Sequence, residues 1–275
     1  MKFYKYQGAG NDFLIADNRD GSIVLTSEQV SALCDRRYGV GADGLMLLEN
    51  SESHDFRMTY FNSDGSGGMM CGNGGRCIVA FAADMGIERY RFEAADGLHD
   101  AEILHSEGNV KTVRLQMKNV EGVEYHEKLA GPEVPSDGYF LDTGTRHFVR
   151  FVEGLDDYDV VAEGRDIRFN AEELLPVGAN VNFVEQDGKV LKVRTYEKGV
   201  EDETFACGTG IVASCIAAYV SGRKPSGVAS DVVMYDVMAR RDRLSVSFSP
   251  KDSGQIENVY LTGPATFIAE IIISL

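Results

Sequence analysis

The feature that most constrains this chain is a duplicated stretch. CGNGGRCIVAFAADMG at 71–86 and CGTGIVASCIAAYVSG at 207–222 align without a gap, placing Cys71 on Cys207, Gly72 on Gly208, Gly74 on Gly210 and Gly86 on Gly222. Each copy opens with cysteine and glycines and continues as a small-residue segment that is apolar on nearly every face (IVAFAA, IVASCIAAYV). A helix of that kind has to be buried on all sides. Antiparallel strands wrapped around it are the simplest way to bury it. Two such helices predict two similar halves.

The segments around the repeat read mostly as strands. KFYKYQ and DFLIAD flank a GAGN turn, TSEQVSALCDRRYG reads as a helix capped by Thr26, and GLMLLE and DFRMTYFN precede a loop, SDGSGGMM, that leads to Cys71. RYRFEA, HDAEILH and VKTVRLQM follow the first apolar helix. The pattern restarts near residue 119 with GYFLDTG, HFVRFVE, NVNFVEQ and VLKVRTYE, then a loop, EDETFA, into Cys207. VVMYDVMA, RLSVSFS, NVYLTG and ATFIAEIII close the chain. The expected fold class is therefore α+β, with two pseudo-symmetric domains, each a mainly antiparallel β-barrel-like sheet around a central α-helix. The expected boundaries are 1–118, with 264–275 returning to that domain, and 119–263.

Composition narrows the partners. Twenty-seven lysines and arginines stand against 43 aspartates and glutamates, for a net charge of −16. So acidic a chain is unsuited to phosphate backbones, which argues against nucleic acid as a partner. No segment has the uninterrupted run of roughly 18 apolar residues that a membrane span needs, and MKFYKYQGAGNDF has no apolar core of a signal peptide. A cytoplasmic protein is expected. Five cysteines (34, 71, 77, 207 and 215) are an odd set for a disulfide scaffold.

Chemistry enters at the helix starts. The first N–H groups of a helix lack intrahelical acceptors, and the aligned peptide dipoles place partial positive charge there. A cysteine at such a position can have its pKa lowered from about 8.5 into the range of roughly 3.5 to 7.5. Glycines beside it let a ligand reach the backbone. Two such sites suit an α-amino acid: one thiolate removes the Cα proton, the opposite thiol protonates the other face, and Cα inverts. A single cysteine before a helix is more often a small buried hydrophobe. Its recurrence at matching positions favours chemistry. Zinc is disfavoured because neither Cys71 with Cys77 nor Cys207 with Cys215 has Cys-x-x-Cys spacing. No β-α-β run supports a dinucleotide loop, and no pyridoxal-phosphate lysine motif is visible.

Together with GAGNDF, RRYGVGADG, FNSDGS before CGNGGRC, TYEKG, ACGTG and TGPA, these residues give a chain that resembles the diaminopimelate epimerases over nearly its whole length. Cys-Gly-x-Gly alone would also suit proline racemase-like relatives. The resemblance implies a cofactor-independent amino-acid epimerase of lysine and cell-wall biosynthesis, a homodimer with its active site in the cleft between two domains. It implies Cys71 and Cys207 as the acid/base pair. Gly72, Asn73, Gly208 and Thr209 would be donors to the reacting carboxylate, and Asn11, Asn62, Asn180, Glu197 and Lys198 would line the pocket. Glu197 would accept from the substrate ammonium, and His147 would lie near the sulfurs. This chain departs from the family at Lys198, where arginine is common, and at Gly144-Thr145-Arg146-His147, where Gly-Asn-Pro-His is usual. Arg146 is therefore expected to compensate for Lys198 at the distal carboxylate.

Overall fold

A computed structural model of the chain describes residues 1–68, 71–134 and 136–274, so Met69 and Met70 of the loop before Cys71 lie outside the described residues. The elements fall into two compact units, residues 1–116 with the C-terminal segment from Thr262, and Met117–Leu261. The first unit contains β1 (Lys2–Gly8), β2 (Asn11–Asp17), α1 (Ser27–Cys34), β3 (Gly44–Glu49), β4 (Phe56–Asn62), α2 (Gly72–Asp84), β5 (Tyr90–Ala94), β6 (Gly97–Glu107) and β7 (Val110–Gln116). The second contains β8 (Glu124–His126), β9 (Gly138–Asp142), β10 (Arg146–Phe151), α3 (Val160–Asn170), β11 (Asn180–Asp187), β12 (Val190–Glu197) and β13 (Asp202–Thr204). It continues with α4 (Gly208–Val220), β14 (Gly227–Ala229), β15 (Val232–Met238), β16 (Arg243–Pro250) and the start of β17 (Ile256–Ile272), which runs on into the first unit.

In the first unit the strands close on themselves. β1 pairs with β2, β3 with β4, β5 with β6, β6 with β7, β7 with β17 and β17 with β1, all antiparallel. The two remaining joins, β2 with β3 and β4 with β5, are parallel. These are the connections that carry α1 and α2, because parallel neighbours need a crossover long enough to hold a helix. The helix α2 packs against β1, β2, β3, β6 and β7 and is buried from Gly72 to Ala82. Closure leaves the barrel no edge at which to pair with another chain.

The second unit repeats this order. β9 and β10 are antiparallel, β10 and β11 parallel, β11 and β12 antiparallel, β12 and β15 parallel, and β15 and β16 antiparallel. α3 and α4 occupy the crossovers, and α4 packs against β9, β10, β11, β12 and β16. The α+β fold of two barrel-like units around central helices is therefore observed.

Three local expectations change. The segment before Cys207 contains a short strand, β13, paired with β12. NVYLTG and ATFIAEIII form one strand, β17, running through Pro264. Beside Pro264 the only described ladder partner is β7, since β1 joins at Thr266, so the missing N–H falls where one ladder is involved. The helix α3 is not among the expected elements, and Gly164, a weak helix former, interrupts its sequence. A Cβ at Gly164 would stand 2.4 Å from the Tyr196 Cβ, so glycine is what lets α3 lie on β12. Among the described residues no helix is long and apolar enough to cross a membrane.

Candidate active site

Both repeated cysteines are N-caps. Cys71 precedes α2 and Cys207 precedes α4, each with extended backbone, and the first helical bonds run from Gly75 N–H to Cys71 O (2.8 Å) and from Ile211 N–H to Cys207 O (2.9 Å). Gly72 and Gly208 are thus first-turn residues, where N–H groups have no carbonyl one turn behind them. The Cys71 sulfur accepts from Gly74 N–H at 3.3 Å. The Cys207 sulfur instead lies 3.4 Å from the Thr209 hydroxyl.

The second unit surrounds Cys207 with polar side chains in its core. His147, on β10, is fully buried, and its Nε2 lies 3.0 Å from both the Thr209 and Thr145 hydroxyls. Burial pushes its pKa down to about 3, against a weaker upward pull from Asp142, so His147 is neutral at physiological pH. Thr143 donates to the Thr209 carbonyl at 3.1 Å. Asn180, beside His147 in register, donates to the Thr145 hydroxyl (3.3 Å) and the Arg146 carbonyl (3.2 Å) and accepts from Lys198 N–H (2.9 Å). Glu197 accepts from the Thr204 hydroxyl at 2.8 Å. Lys198 is exposed. The Arg146 guanidinium donates to the Leu174 carbonyl at 3.0 Å and sits 4.8 Å above the Phe140 ring.

In the first unit, Asn73 and Arg76 rise from α2 beside Cys71. Arg76, buried, donates to the Asn73 side-chain oxygen at 2.9 Å, and Asn73 donates to the Asn11 side-chain oxygen. Asn11 in turn donates to Asp43 at 3.0 Å. Arg36 holds both Asp43 and Asp12 at 2.6 Å, and Lys5 reaches Asp12 at 2.8 Å. Burial works to raise the Asp12 pKa, but hydrogen bonds from Arg36 and Lys5 outweigh it and bring it to about 2. Asn62 closes a turn, its N–H donating to Ser66 O (2.9 Å) and its amide to the Ser66 hydroxyl (3.0 Å).

The other three cysteines are core residues. Burial pushes the Cys34 thiol up to about 11, and raises Cys77 and Cys215 as well. Sequence reasoning missed Asn182, whose side chain faces His147 Nδ1 at 3.1 Å. Its signal was present in NVNF, since residues two apart on a strand share a face and Asn180 had already been singled out.

The description of the family model that matches residues 3–122 and 139–268 is diaminopimelate epimerase. A diaminopimelate epimerase from Flavobacterium psychrophilum is 44% identical, covering 99% of this chain and 100% of its own length. One from Chlorobaculum tepidum is 44% identical over 98% of this chain and 99% of its own. Among solved structures, a Bacillus anthracis phenazine biosynthesis protein of the PhzF family aligns over 100% of this chain and 99% of its own, with TM-score 0.74 and 17% identity. A hydroxyproline epimerase from Agrobacterium vitis, solved with trans-4-OH-L-proline, aligns over 98% of this chain and 91% of its own, with TM-score 0.68 and 16% identity. At those identities the two structures speak to the fold alone.

Proposed function

The chain belongs to the diaminopimelate epimerase family, a family of isomerases, and on that premise we propose that it interconverts LL- and meso-2,6-diaminopimelate without a cofactor. Cys71 and Cys207 are the two bases. One, as thiolate, takes the Cα proton: the C–H bond breaks, an S–H bond forms, and the electron pair passes into the carboxylate. The other, as thiol, delivers its proton to the opposite face, and the reverse reaction exchanges the roles.

The observation that carries this reading is the placing of a cysteine N-cap before a glycine-rich helix start at the same step of a repeated topology. The N–H groups of Gly72, Asn73, Gly208 and Thr209 would carry the growing carboxylate charge, a kind of stabilisation that costs about 3–4 kcal/mol per donor when lost. Glu197 would receive the substrate ammonium. Asn11, Asn62 and Asn180 would line the pocket, and Lys198 and Arg146 are the candidate cations for the distal carboxylate. The protein would act as a cytoplasmic homodimer in lysine and peptidoglycan-precursor synthesis.

The test is exchange of the Cα proton in deuterated water across a panel of amino acids. Deuterium entering LL- and meso-diaminopimelate, and lost from the exchange when Cys71 or Cys207 is replaced by serine, supports the proposal. Exchange into proline or hydroxyproline with none into diaminopimelate would move the assignment to another amino acid.

A further inference from the structure

Cys71 and Cys207 occupy equivalent positions, but what lies beneath them differs. In the first unit Phe13 on β2 pairs with Gly44 on β3, and Met46 stands two residues further along. In the second, His147 on β10 pairs with Asn180 on β11, and Asn182 stands two residues further along. The counterpart of His147 is therefore Phe13, and the counterpart of Asn182 is Met46. Phe13, Met46, His147 and Asn182 are all buried. The barrel can fill this place with apolar side chains, so its architecture does not require a buried imidazole and amide. Buried polar groups carry a desolvation cost unless they are fully hydrogen-bonded.

Their bonding fixes a direction. The Asn182 side-chain oxygen accepts from the Thr195 hydroxyl at 2.9 Å, and its nitrogen donates to the Phe148 carbonyl at 3.2 Å, which settles which way round the amide lies. The second N–H of that nitrogen faces His147 Nδ1 at 3.1 Å. Nδ1 therefore accepts, and in the neutral ring the proton sits on Nε2. Nε2–H can only donate to the hydroxyls of Thr145 and Thr209, and neither hydroxyl can give its proton back to the ring. Among the described residues, the Thr209 proton then has two acceptors in reach. Thr145 Oγ1 is 3.4 Å away, well beyond the ~2.8 Å typical of O–H···O bonds. Cys207 Sγ is also 3.4 Å away, but sulfur is the larger atom, and at that distance the contact is a close one.

We propose that Asn182 is a positioning residue for Cys207: its amide sets the Nε2–H tautomer of His147, which turns the Thr209 hydroxyl towards the Cys207 sulfur as a donor. The proposal rests on the reading of Cys207 as an acid/base group, because a donor of this kind favours thiolate over thiol. Cys71 is served differently, by the Gly74 N–H. The charged group acting on His147 is Asp142, which itself lies 3.6 Å from Lys118.

Two measurements made without substrate test it. In protein carrying ¹⁵N-histidine, long-range proton–nitrogen spectra at neutral pH should show His147, assigned by its loss in His147→Gln, protonated on Nε2 and bare on Nδ1. In Asn182→Asp the new carboxylate should draw a proton onto Nδ1. A wild-type ring protonated on Nδ1 overturns the proposal whether or not the variant folds. Since an added carboxylate raises a thiol pKa by charge alone, the thiol is titrated in threonine variants instead. The pH midpoint for iodoacetamide modification of Cys207, read by mass spectrometry, should rise by about one unit in Thr209→Val, a tenfold fall in thiolate, and stay at the wild-type value in Thr209→Ser. Equal midpoints in the valine and serine variants would refute it. A protein that passes both tests yet exchanges no diaminopimelate proton would refute the proposed function and leave the relay standing.

Discussion

Gly74 and Gly210 are aligned in the repeat and both stand in the first turn of a central helix, yet alanine should act oppositely at the two. A Cβ at Gly74 would meet Met46 Sδ at 3.4 Å and Cys71 Sγ and Phe13 Cζ at 3.6 Å, ordinary van der Waals distances. Alanine there keeps the packing and gains up to about 1 kcal/mol of helix propensity. At Gly210 a Cβ would stand 2.3 Å from the Asn182 side-chain oxygen and 3.3 Å from the Cys207 Cβ. Real contacts of that kind do not occur at 2.3 Å, so Asn182 must move, and it is bonded to Thr195, Phe148 O and His147. Overpacking costs roughly 1–3 kcal/mol, and a strained or lost buried hydrogen bond about 1 kcal/mol more, against which the propensity gain is small. The net loss for Gly210→Ala is about 2 kcal/mol, or roughly 4–8 °C in Tm for a unit of this size. Thermal unfolding followed by circular dichroism, with Gly74→Ala in parallel, measures it. If the two variants unfold at the same temperature, Asn182 does not occupy the space that glycine leaves, and the reasoning is wrong.

Cys71→Ser and Cys207→Ser should each lower epimerisation of diaminopimelate by about 10²- to 10⁴-fold while the fold persists, measured by coupled assay and circular dichroism. Because His147 is held neutral in the fold but binds a proton at about 6.5 when unfolded, its contribution is fully present above that pH and is lost as pH falls through 6.5 towards 3. Wild-type stability in urea should therefore fall by up to about 1.4 kcal/mol per pH unit more steeply than that of His147→Gln. Iodoacetamide at about pH 8 should label Cys71 well ahead of Cys34, Cys77 and Cys215, whose thiols burial pushes up, as peptide mapping would show. Lys198→Ala and Arg146→Ala should each raise KM for diaminopimelate, by up to about tenfold, and Arg146→Ala, which also removes the bond to Leu174 O and the stack on Phe140, should lower Tm as well.

Much of this protein is determined by sequence periodicity. A segment apolar on every face has one low-energy destination, so 71–86 and 207–222 alone called for two helices wrapped by strands, and α2 and α4 are those helices. The thiol-and-glycine chemistry of Cys71 and Cys207 was legible for the same reason: a helix start is a local property. Features that depend on contact between distant residues were not. Gly164 reads as a helix breaker until β12 is seen beneath it, and Pro264 reads as a strand end until the ladders around it are known. Asn182 reads as one more polar residue in a strand until three neighbours fix its amide. The sequence by itself determined that two cysteines begin two buried helices. Only the tertiary structure decided that one sulfur accepts from a backbone N–H while the other faces a hydroxyl backed by His147 and Asn182, because a hydrogen bond's direction depends on partners that the chain brings together only when it folds.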